Sequence, residues 1–251
     1  MIILALDAVS AGASAAVMAD GRLRGHARHE ARHGQAEHLM GLVAEGLRQA
    51  GLRAGAVDLI AATRGPGSFT GIRVTLAAAR GLAMATGRPL LGLAANDVVA
   101  LMATASAPAT DVPGMDGATL VTAIESRRAE VFMAAYRSGP EADPQQRLSA
   151  PLAALTPDAA RSRLADLAGL AGTGGVQVAG CAASRLLADW NGRPATVRQI
   201  GDGGPDAVAL ARLAALRVSP GATSGAAIAA IVAGTATPLY LRPPQLGGAR
   251  P

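Results

Sequence analysis

The apolar residues near the start of the chain occur first in strand-like runs and then at helical spacing. Residues 2–7 and 14–19 are short apolar segments typical of buried strands, and an Asp-Gly pair after the second predicts a hairpin turn into a strand at 23–29. Residues 35–50 carry apolar side chains at intervals of three and four, the spacing of an amphipathic helix. The pattern therefore predicts a meander of strands followed by a helix.

A buried strand, a glycine-rich turn and a second helix come next. The strand is predicted at 57–63, and the helix, at about 71–86, is apolar nearly all round. Its many alanines would let another helix approach closely. A further strand at 89–93 and an apolar helix from 96 to about 106 follow. We expect the helix 71–86 to be covered on more than one side, by its own sheet and by a partner.

The second half of the chain repeats the order of the first. A segment rich in Pro, Gly and Asp at 106–117 predicts a boundary. The elements predicted after it are strands at 118–124, 130–136 and 176–180, a loop at 140–157, and helices at 158–168, 182–190 and 206–218. Two α/β domains of similar build with a cleft between them are expected. They would span 1–106 and 107–251, with the C-terminal segment able to return to the first.

Composition narrows the class of protein. Half of the 251 residues are hydrophobic and only 2% are aromatic, which indicates a globular protein with a core of small aliphatic side chains. The net charge is +5, and all 23 basic residues are arginines scattered along the chain, so we expect a solvated charged surface rather than direct RNA binding. Cys181 is the single cysteine and no apolar run reaches about 18 residues, so a cytoplasmic protein that does not enter a membrane is expected.

The turn that leads into the second helix consists of Gly65, Pro66, Gly67, Ser68, Phe69, Thr70 and Gly71. Such a loop can aim backbone N–H groups and the positive end of a helix dipole at a phosphate or carboxylate. The alternative is that the glycines only permit close packing of strand and helix, while Ser68 or Thr70 caps the helix. Because the chain has no lysine, a Walker P-loop is excluded.

Three carboxylates are candidates for acid or base chemistry. Asp7 ends the first strand and Ser10 lies in the turn after it, where an aspartate can face a ligand or simply cap the turn. Glu125 and Glu130 flank the link between two later strands. Carboxylates that meet in a cleft would mark a site, but the sequence does not bring these together, so the role of the two glutamates stays open.

The segment His29-Glu30-Ala31-Arg32-His33 matches the zinc-peptidase string H-E-x-x-H. That chemistry needs both histidines on one face of a helix. Here the string follows a predicted strand and precedes a glycine, so a helix is not expected. The sequence therefore argues against zinc hydrolysis at this segment.

The nine residues GPGSFTGIR at 65–73, with the small-residue helix after them, closely resemble the signature of the bacterial TsaB family. Further matches follow in the family's order: an opening Ile-Leu-Ala-Leu-Asp, Gly-Arg-Pro with an apolar strand at 87–94, Glu-Val-Phe at 130–132, and Pro-Leu-Tyr-Leu-Arg at 238–242. The resemblance covers nearly the whole chain. It implies the actin-like (ASKHA) fold, which has two α/β domains with mixed sheets flanked by helices.

The resemblance implies a supporting role in tRNA modification. TsaB is the non-catalytic relative of TsaD, which with the ATPase TsaE makes threonylcarbamoyladenosine beside the anticodon. A chain of this kind would have no catalytic residue, no metal and no cofactor of its own, with ATP or ADP at the interface with its partner. It would reach tRNA through the complex, and two copies could pair when it is alone. The histidines that hold metal in the catalytic relatives follow the glycine-loop helix, and this chain has none after His38.

The resemblance also implies which positions matter. The nucleotide- or phosphate-facing residues would be Asp7, Ser10, Gly65, Pro66, Gly67, Ser68, Phe69, Thr70, Gly71 and Arg73. The partner interface would include Leu39, Leu42, Val43, Ala78 and Ala85. Relatives usually have Asp in place of Glu125, Gly in place of Ala129 and commonly His where Gln35 stands, so no role is carried over there. The residues leave one alternative open, an actin-like enzyme that acts alone as a small-molecule kinase or a glycoprotease-type metallopeptidase.

Overall fold

The computed structural model describes residues 1–10, 12–30, 35–106, 118–126, 129–137, 153–171, 174–188, 190–218 and 225–241. The first of two sheets consists of β1 (Ile2–Asp7), β2 (Gly12–Ala19), β3 (Arg22–Glu30), β4 (Leu59–Thr63) and β5 (Leu90–Leu93). The strand order is β3-β2-β1-β4-β5. The pairs β1–β2 and β2–β3 are antiparallel, while β1–β4 and β4–β5 are parallel.

The second sheet consists of β6 (Thr119–Glu125), β7 (Val131–Arg137), β8 (Ala153–Leu155), β9 (Val176–Ala179) and β10 (Val197–Gln199). Its order is β10-β9-β6-β7-β8, with β6–β7 and β7–β8 antiparallel and β6–β9 and β9–β10 parallel. Each sheet is thus a three-stranded meander whose first strand also begins a parallel ladder. The expectation of two mixed α/β sheets flanked by helices is confirmed.

The helices of the described residues are α1 (Gln35–Ala50), α2 (Phe69–Thr86), α3 (Ala95–Ser106), α4 (Pro157–Leu170), α5 (Ala183–Leu187), α6 (Ala207–Arg217) and α7 (Gly225–Val232). Helices α1 and α2 contact each other and cover one face of the first sheet, whereas α6 packs on β1 and β2 and α7 contacts β5. Helices α4 and α5 pack on the second sheet. No helix in the described part of the chain is long and apolar enough to cross a bilayer.

Strand β1 shows why both faces of the first sheet are covered. Its side chains alternate between the two faces, and nearly all of them are buried. Leu4 and Leu6 belong to the core cluster that contains residues of α1 and α2. Ile3 and Ala5 belong to the cluster that contains residues of α6 and α7. The apolar run at 2–7 is therefore a central strand between two layers of helices.

Helix α3 joins the two halves through buried polar groups. Asn96 Nδ2 donates hydrogen bonds to Thr122 Oγ1 (2.8 Å) and to the Phe132 carbonyl (3.2 Å) on the second sheet. Tyr136 Oη donates to Asp97 Oδ1 at 2.8 Å. Such buried bonds are costly to break, so α3 fixes the second sheet against the first. The domain limits drawn at residues 106 and 107 stay a prediction.

The structure also differs from the sequence predictions in three short elements. Strand β8 lies inside the predicted loop at 140–157. Of that loop, residues 140–152 lie outside the described part, so only 153–157 can be compared with the prediction. Strand β10 and helix α7 were not predicted. Strands β8 and β10 have only three residues each, which is too few for an alternating apolar pattern to show. The helix predicted at 35–50 is confirmed at both ends.

Candidate functional site

Asp7 is a carboxyl group buried in the first sheet. It ends β1 and its side chain is 1% exposed. Thr63 Oγ1, at the end of the parallel strand β4, donates a hydrogen bond to Asp7 Oδ1, and the Val9 backbone N–H also reaches the carboxylate. Parallel strands end at the same edge of a sheet, which is why the two side chains meet.

The surroundings of Asp7 favour its neutral form. Burial, helped by the nearby negative charge of Asp206, raises the pKa of Asp7 to about 7, although the hydrogen bonds from Thr63 and Val9 oppose the shift. Asp206 lies immediately before α6, where its Oδ1 accepts a hydrogen bond from the Val208 N–H at 2.7 Å. Its Oδ2 is 3.3 Å from His26 Nε2, within ion-pair range but without hydrogen-bond alignment.

A pocket of about 270 Å³ opens over Asp7. Ser10 also lines it, so the structure brings these two predicted residues together. The remaining lining residues are Gly12, Ala13, Ser14, Arg28, Glu30, Met102, Cys181, Gly203, Gly204, Pro205 and Asp206. Residues 65–71 and Arg73, which were predicted to face the same ligand, are not among the residues that line it.

The glycine loop instead packs against the turn that follows β1. A Cβ atom at Gly67 would lie 2.3 Å from the Val9 carbonyl oxygen, and one at Gly71 would lie 2.0 Å from the Ala8 carbonyl oxygen. The Ser68 N–H donates to that same Val9 carbonyl at 2.7 Å. Only glycine permits such approach, so these glycines serve the packing of two loops.

The backbone donors that open α2 are also used within the chain. Ser68 is the N-cap, with its Oγ accepting a hydrogen bond from the Gly71 N–H at 3.3 Å, and the Ile72 N–H donates to the Ser68 carbonyl at 2.8 Å. Of the two caps considered from the sequence, the structure selects Ser68, and Thr70 is exposed. These backbone N–H groups therefore bond to other atoms of the chain and are not free to bind a ligand.

The C-terminal segment covers the other side of the glycine loop. The Leu239 N–H donates to the Arg64 carbonyl at 2.8 Å, and a Cβ at Gly65 would lie 2.8 Å from the Leu239 carbonyl oxygen. The rings of Phe69 and Tyr240 are in tilted contact with centroids 5.3 Å apart, and Arg73 Cζ lies 3.7 Å from the Phe69 centroid. The predicted positions Gly65, Phe69 and Arg73 therefore belong to this contact between the loop, the start of α2 and residues 239–240. Pro66 itself is buried.

The residues predicted at a partner interface separate into two groups. Leu39 and Val43 are buried in the chain's own core, so these two side chains are not on its surface. Leu42 and Ala78 are half-buried, and Ala85 is exposed. Beside Ala85, Met84 is 86% exposed, and Met40 of α1 is 49% exposed. The surface that α1 and α2 present therefore includes small residues and two exposed methionines, together with charged residues such as Arg48 and Arg80.

The two glutamates do not join Asp7. Glu125 lies 3.8 Å from Arg185, and its backbone N–H donates to Cys181 Sγ at 3.4 Å. Glu130 is buried, and its carbonyl accepts from Arg185 Nη2 at 3.5 Å. Burial raises the pKa of the Cys181 thiol, so this pocket-lining cysteine is held in its neutral form.

The H-E-x-x-H segment does not form the zinc-peptidase arrangement at its start. His29 and Glu30 are the last two residues of β3, where successive side chains point to opposite faces of the sheet. Residues 31–33 of the segment lie outside the described part. Among the described residues, no group of three or more His, Cys, Asp or Glu converges to hold a metal ion.

Sequence reasoning missed the residues that surround Asp7. Ser14, Gly204 and Asp206 come from β2 and from the turn before α6. Asp206 carried a usable signal, because an aspartate directly before a helical pattern is a typical N-cap. Ser14 carried none, since its partner, the Ala207 N–H at 3.0 Å, is 193 residues away in the sequence.

Comparison with known proteins finds relatives of this chain. The curated relatives include the tRNA threonylcarbamoyladenosine biosynthesis protein TsaB of Escherichia coli (strain K12), 31% identical over 137 residues, which are 55% of this chain and 55% of that protein. TsaB of Haemophilus influenzae is 31% identical over 132 residues, 53% of this chain and 52% of that protein. These alignments span about half the length of the curated relatives.

A solved structure extends the similarity to almost the whole chain. It is described as an uncharacterized protein with similarity to peptidase YEAZ from Pseudomonas aeruginosa, and it is 26% identical to this chain. The superposition has a TM-score of 0.70 and covers 96% of this chain and 99% of the other. The resemblance to TsaB proteins is thereby confirmed. A family model described as TsaD: tRNA N6-adenosine threonylcarbamoyltransferase matches residues 25–181, more than half of the sequence, and the chain belongs to that family.

Proposed function

We propose that this chain is a non-catalytic scaffold subunit in the synthesis of threonylcarbamoyladenosine beside the anticodon of tRNA. The observation that carries the proposal is the family match over residues 25–181 together with the similarity to two TsaB proteins. The chain would support a TsaD-like catalytic subunit together with a TsaE-like ATPase, and it would reach tRNA through that complex.

The surface of α1 and α2 supports a role in pairing. Met84 and Met40 are large apolar side chains left in solvent, and Ala85 adds a small exposed position next to Met84. A contiguous exposed apolar patch on a folded chain often marks an interaction site, whereas single exposed apolar side chains are common and need no explanation. Small residues also let a partner helix come close. We assign this face to the catalytic partner, and to a second copy of the chain when the partner is missing.

The glycine loop supports a scaffold role for a different reason. Its N–H groups at Ser68, Gly71 and Ile72 bond within the chain, and the Leu239 segment lies against Gly65. These three donors are therefore not available to a phosphate. The proposal therefore puts ATP or ADP at the interface with the partner, rather than in a site that this chain forms alone.

A reconstitution experiment tests the proposal. Threonylcarbamoyladenosine is measured on tRNA with the catalytic subunit and the ATPase, in the presence and absence of this chain. We expect modification to need the chain, and the chain alone to hydrolyse no ATP. Full modification without the chain would remove the proposed function.

The pocket over Asp7 favours a second candidate, an actin-like enzyme that acts alone. A carboxyl whose pKa is about 7 is suited to accept a proton near neutral pH, and Asp7 faces a cavity of small-ligand size. ATP hydrolysis by the isolated chain that is abolished in Asp7→Asn would favour this candidate. An inactive chain that still supports modification would favour the scaffold.

A further inference from the structure

Two histidines from different elements meet at the edge of the first sheet. His29, on β3, and His38, in the first turns of α1, have ring centroids 4.1 Å apart, with their planes inclined by 40°. His38 is exposed and His29 is half-buried, so solvent reaches the pair. The proposed scaffold function makes no use of either ring.

We propose that His29 and His38 together bind one transition-metal ion of the zinc class. Neutral imidazole nitrogen is a preferred ligand of Zn²⁺, Ni²⁺ and Cu²⁺, and two rings that already lie side by side lose little freedom when they chelate. The site differs in position from the pocket over Asp7, because it lies between β3 and α1.

The distance between the rings is slightly shorter than the distance that chelation of a single ion requires. With a Zn–N bond of about 2.0–2.1 Å, each ring centroid lies roughly 3.2 Å from the metal, so two ligands at about 90–110° have centroids roughly 4.5–5.2 Å apart. The observed separation of 4.1 Å is within about an ångström of that range. Small rotations of the exposed His38 side chain would close the difference.

The strand geometry separates this pair from the third described histidine. His26 and His29 are three residues apart on β3, opposite Ala16 and Ala13 of β2, so their side chains point to opposite faces of the sheet. His26 lies on the side of α6, with its Nε2 3.3 Å from Asp206. His29 lies on the side of α1. His26 is therefore a matched control on the same strand.

The charges beside the pair do not oppose a cation strongly. Arg28 and Glu30 flank His29 on β3, so their side chains point to the opposite face of the sheet, where they pair with each other at 2.6 Å. Glu37 precedes His38 in the first turn of α1 and is exposed. Two protein ligands leave the other coordination positions to water, and we expect reversible binding rather than a closed structural site.

A bound ion would tie the start of α1 to the end of β3. Any effect of this tie on pairing rests on the proposed function, because α1 forms part of the face assigned to the partner. Metal binding itself is measured on the chain alone and does not depend on tRNA modification. A failure of one can therefore be told apart from a failure of the other.

Zinc and copper titrations of the untagged chain test the site. Calorimetry with Zn²⁺ gives the affinity, and electron paramagnetic resonance with Cu²⁺ reports whether two imidazole nitrogens are bound. We expect His29→Ala and His38→Ala each to weaken zinc binding by roughly tenfold or more, since losing a metal-binding residue should cost at least as much as losing its hydrogen-bond partner. His26→Ala should leave the affinity unchanged.

Two outcomes would overturn the inference. One is a wild-type chain that binds neither ion, and the other is binding that persists in both His29→Ala and His38→Ala. Should an alanine variant fail to fold, His29→Gln and His38→Gln retain bulk and polarity without the same metal affinity. Proton NMR of the histidine rings in the wild-type chain is a further measurement, because Cu²⁺ should broaden the resonances of His29 and His38 before those of His26.

Discussion

The backbone N–H of Ala207 donates a 3.0 Å hydrogen bond to Ser14 Oγ, across 193 residues of sequence. Ser14 is a buried residue of β2, and Ala207 is the first residue of α6. The bond satisfies a donor that the start of a helix would otherwise leave without a partner. It places Asp206 beside the carboxylate of Asp7, so the environment of Asp7 depends on where α6 begins.

Replacing Ser14 by alanine should therefore cost stability without removing a catalytic group. We expect a loss of about 1 kcal/mol in the free energy of unfolding, typical of a lost helix-capping bond. Urea denaturation measures it. Ser162→Ala, at an exposed position of α4, is the control and should change stability by less than about 0.5 kcal/mol. Equal stability of the two variants would mean that the bond to α6 contributes nothing.

The pH dependence of stability should report Asp7. Its pKa is raised in the folded chain to about 7, so the folded state holds a proton that the unfolded state releases. The stabilisation is fully present below the unfolded pKa near 4 and is lost as pH rises through about 7, at up to about 1.4 kcal/mol per pH unit. Asp7→Asn should remove this decline between pH 4 and 7 in urea titrations.

The exposed Asp166→Asn is the control for that experiment and should keep the decline. A wild-type chain whose stability does not fall over this interval would show that the pKa of Asp7 is not raised in the folded state.

Asp206 should be one cause of the raised pKa. Asp206→Asn removes a negative charge near Asp7, while an asparagine oxygen can still accept the Val208 N–H. We expect the pKa of Asp7 to fall below its wild-type value and the fold to persist. A carbon-detected NMR titration of the Asp7 carboxyl measures the shift, and an unchanged or higher pKa would contradict the assignment.

Two glycines of α2 should respond oppositely to alanine. At Gly71 a Cβ would lie 2.0 Å from the Ala8 carbonyl oxygen, whereas at Gly81 it would meet nothing within 4 Å. Gly71→Ala must push the turn after β1 away and should destabilise by about 1–3 kcal/mol. Gly81→Ala should stabilise by up to about 1 kcal/mol through helix propensity. Thermal melts compare the two, and Gly67→Val should behave like Gly71→Ala because its Cβ would meet the Val9 carbonyl.

A charge on the face of α2 should weaken pairing. Met84→Glu places a carboxylate on a side chain that is 86% exposed, so the isolated chain should stay folded while its complex with the catalytic partner weakens. Leu170→Glu, at an 83% exposed position of α4, is the matched control. Analytical ultracentrifugation measures both complexes. If Met84→Glu pairs as well as Leu170→Glu does, the face of α2 is not the interface.

Ala85→Glu should act as Met84→Glu does, because Ala85 is exposed. Ala78→Glu is a less selective test, since Ala78 is half-buried and packs on the core. Loss of pairing in that variant would be accompanied by a lower melting temperature.

Local patterns in the sequence were sufficient for the main elements and for the fold class. The limits of α1 follow from helical spacing that ends before Gly51, and β1 follows from an apolar run that ends at Asp7. The glycines of the loop before α2 indicated a shaped turn. These features depend on residues that are neighbours in the chain, so the sequence displays them directly.

The identity of the residues around Asp7 was decided only by the tertiary structure. Asp206 and Ser14 reach it because α6 folds back onto the first sheet, and no periodicity encodes a contact between residues so far apart. The glycine loop shows the same limit, because its composition allowed both a phosphate cradle and close packing. The approach of Val9 and Ala8 to Gly67 and Gly71 revealed the close packing, since a carbonyl oxygen occupies the space that any side chain would need.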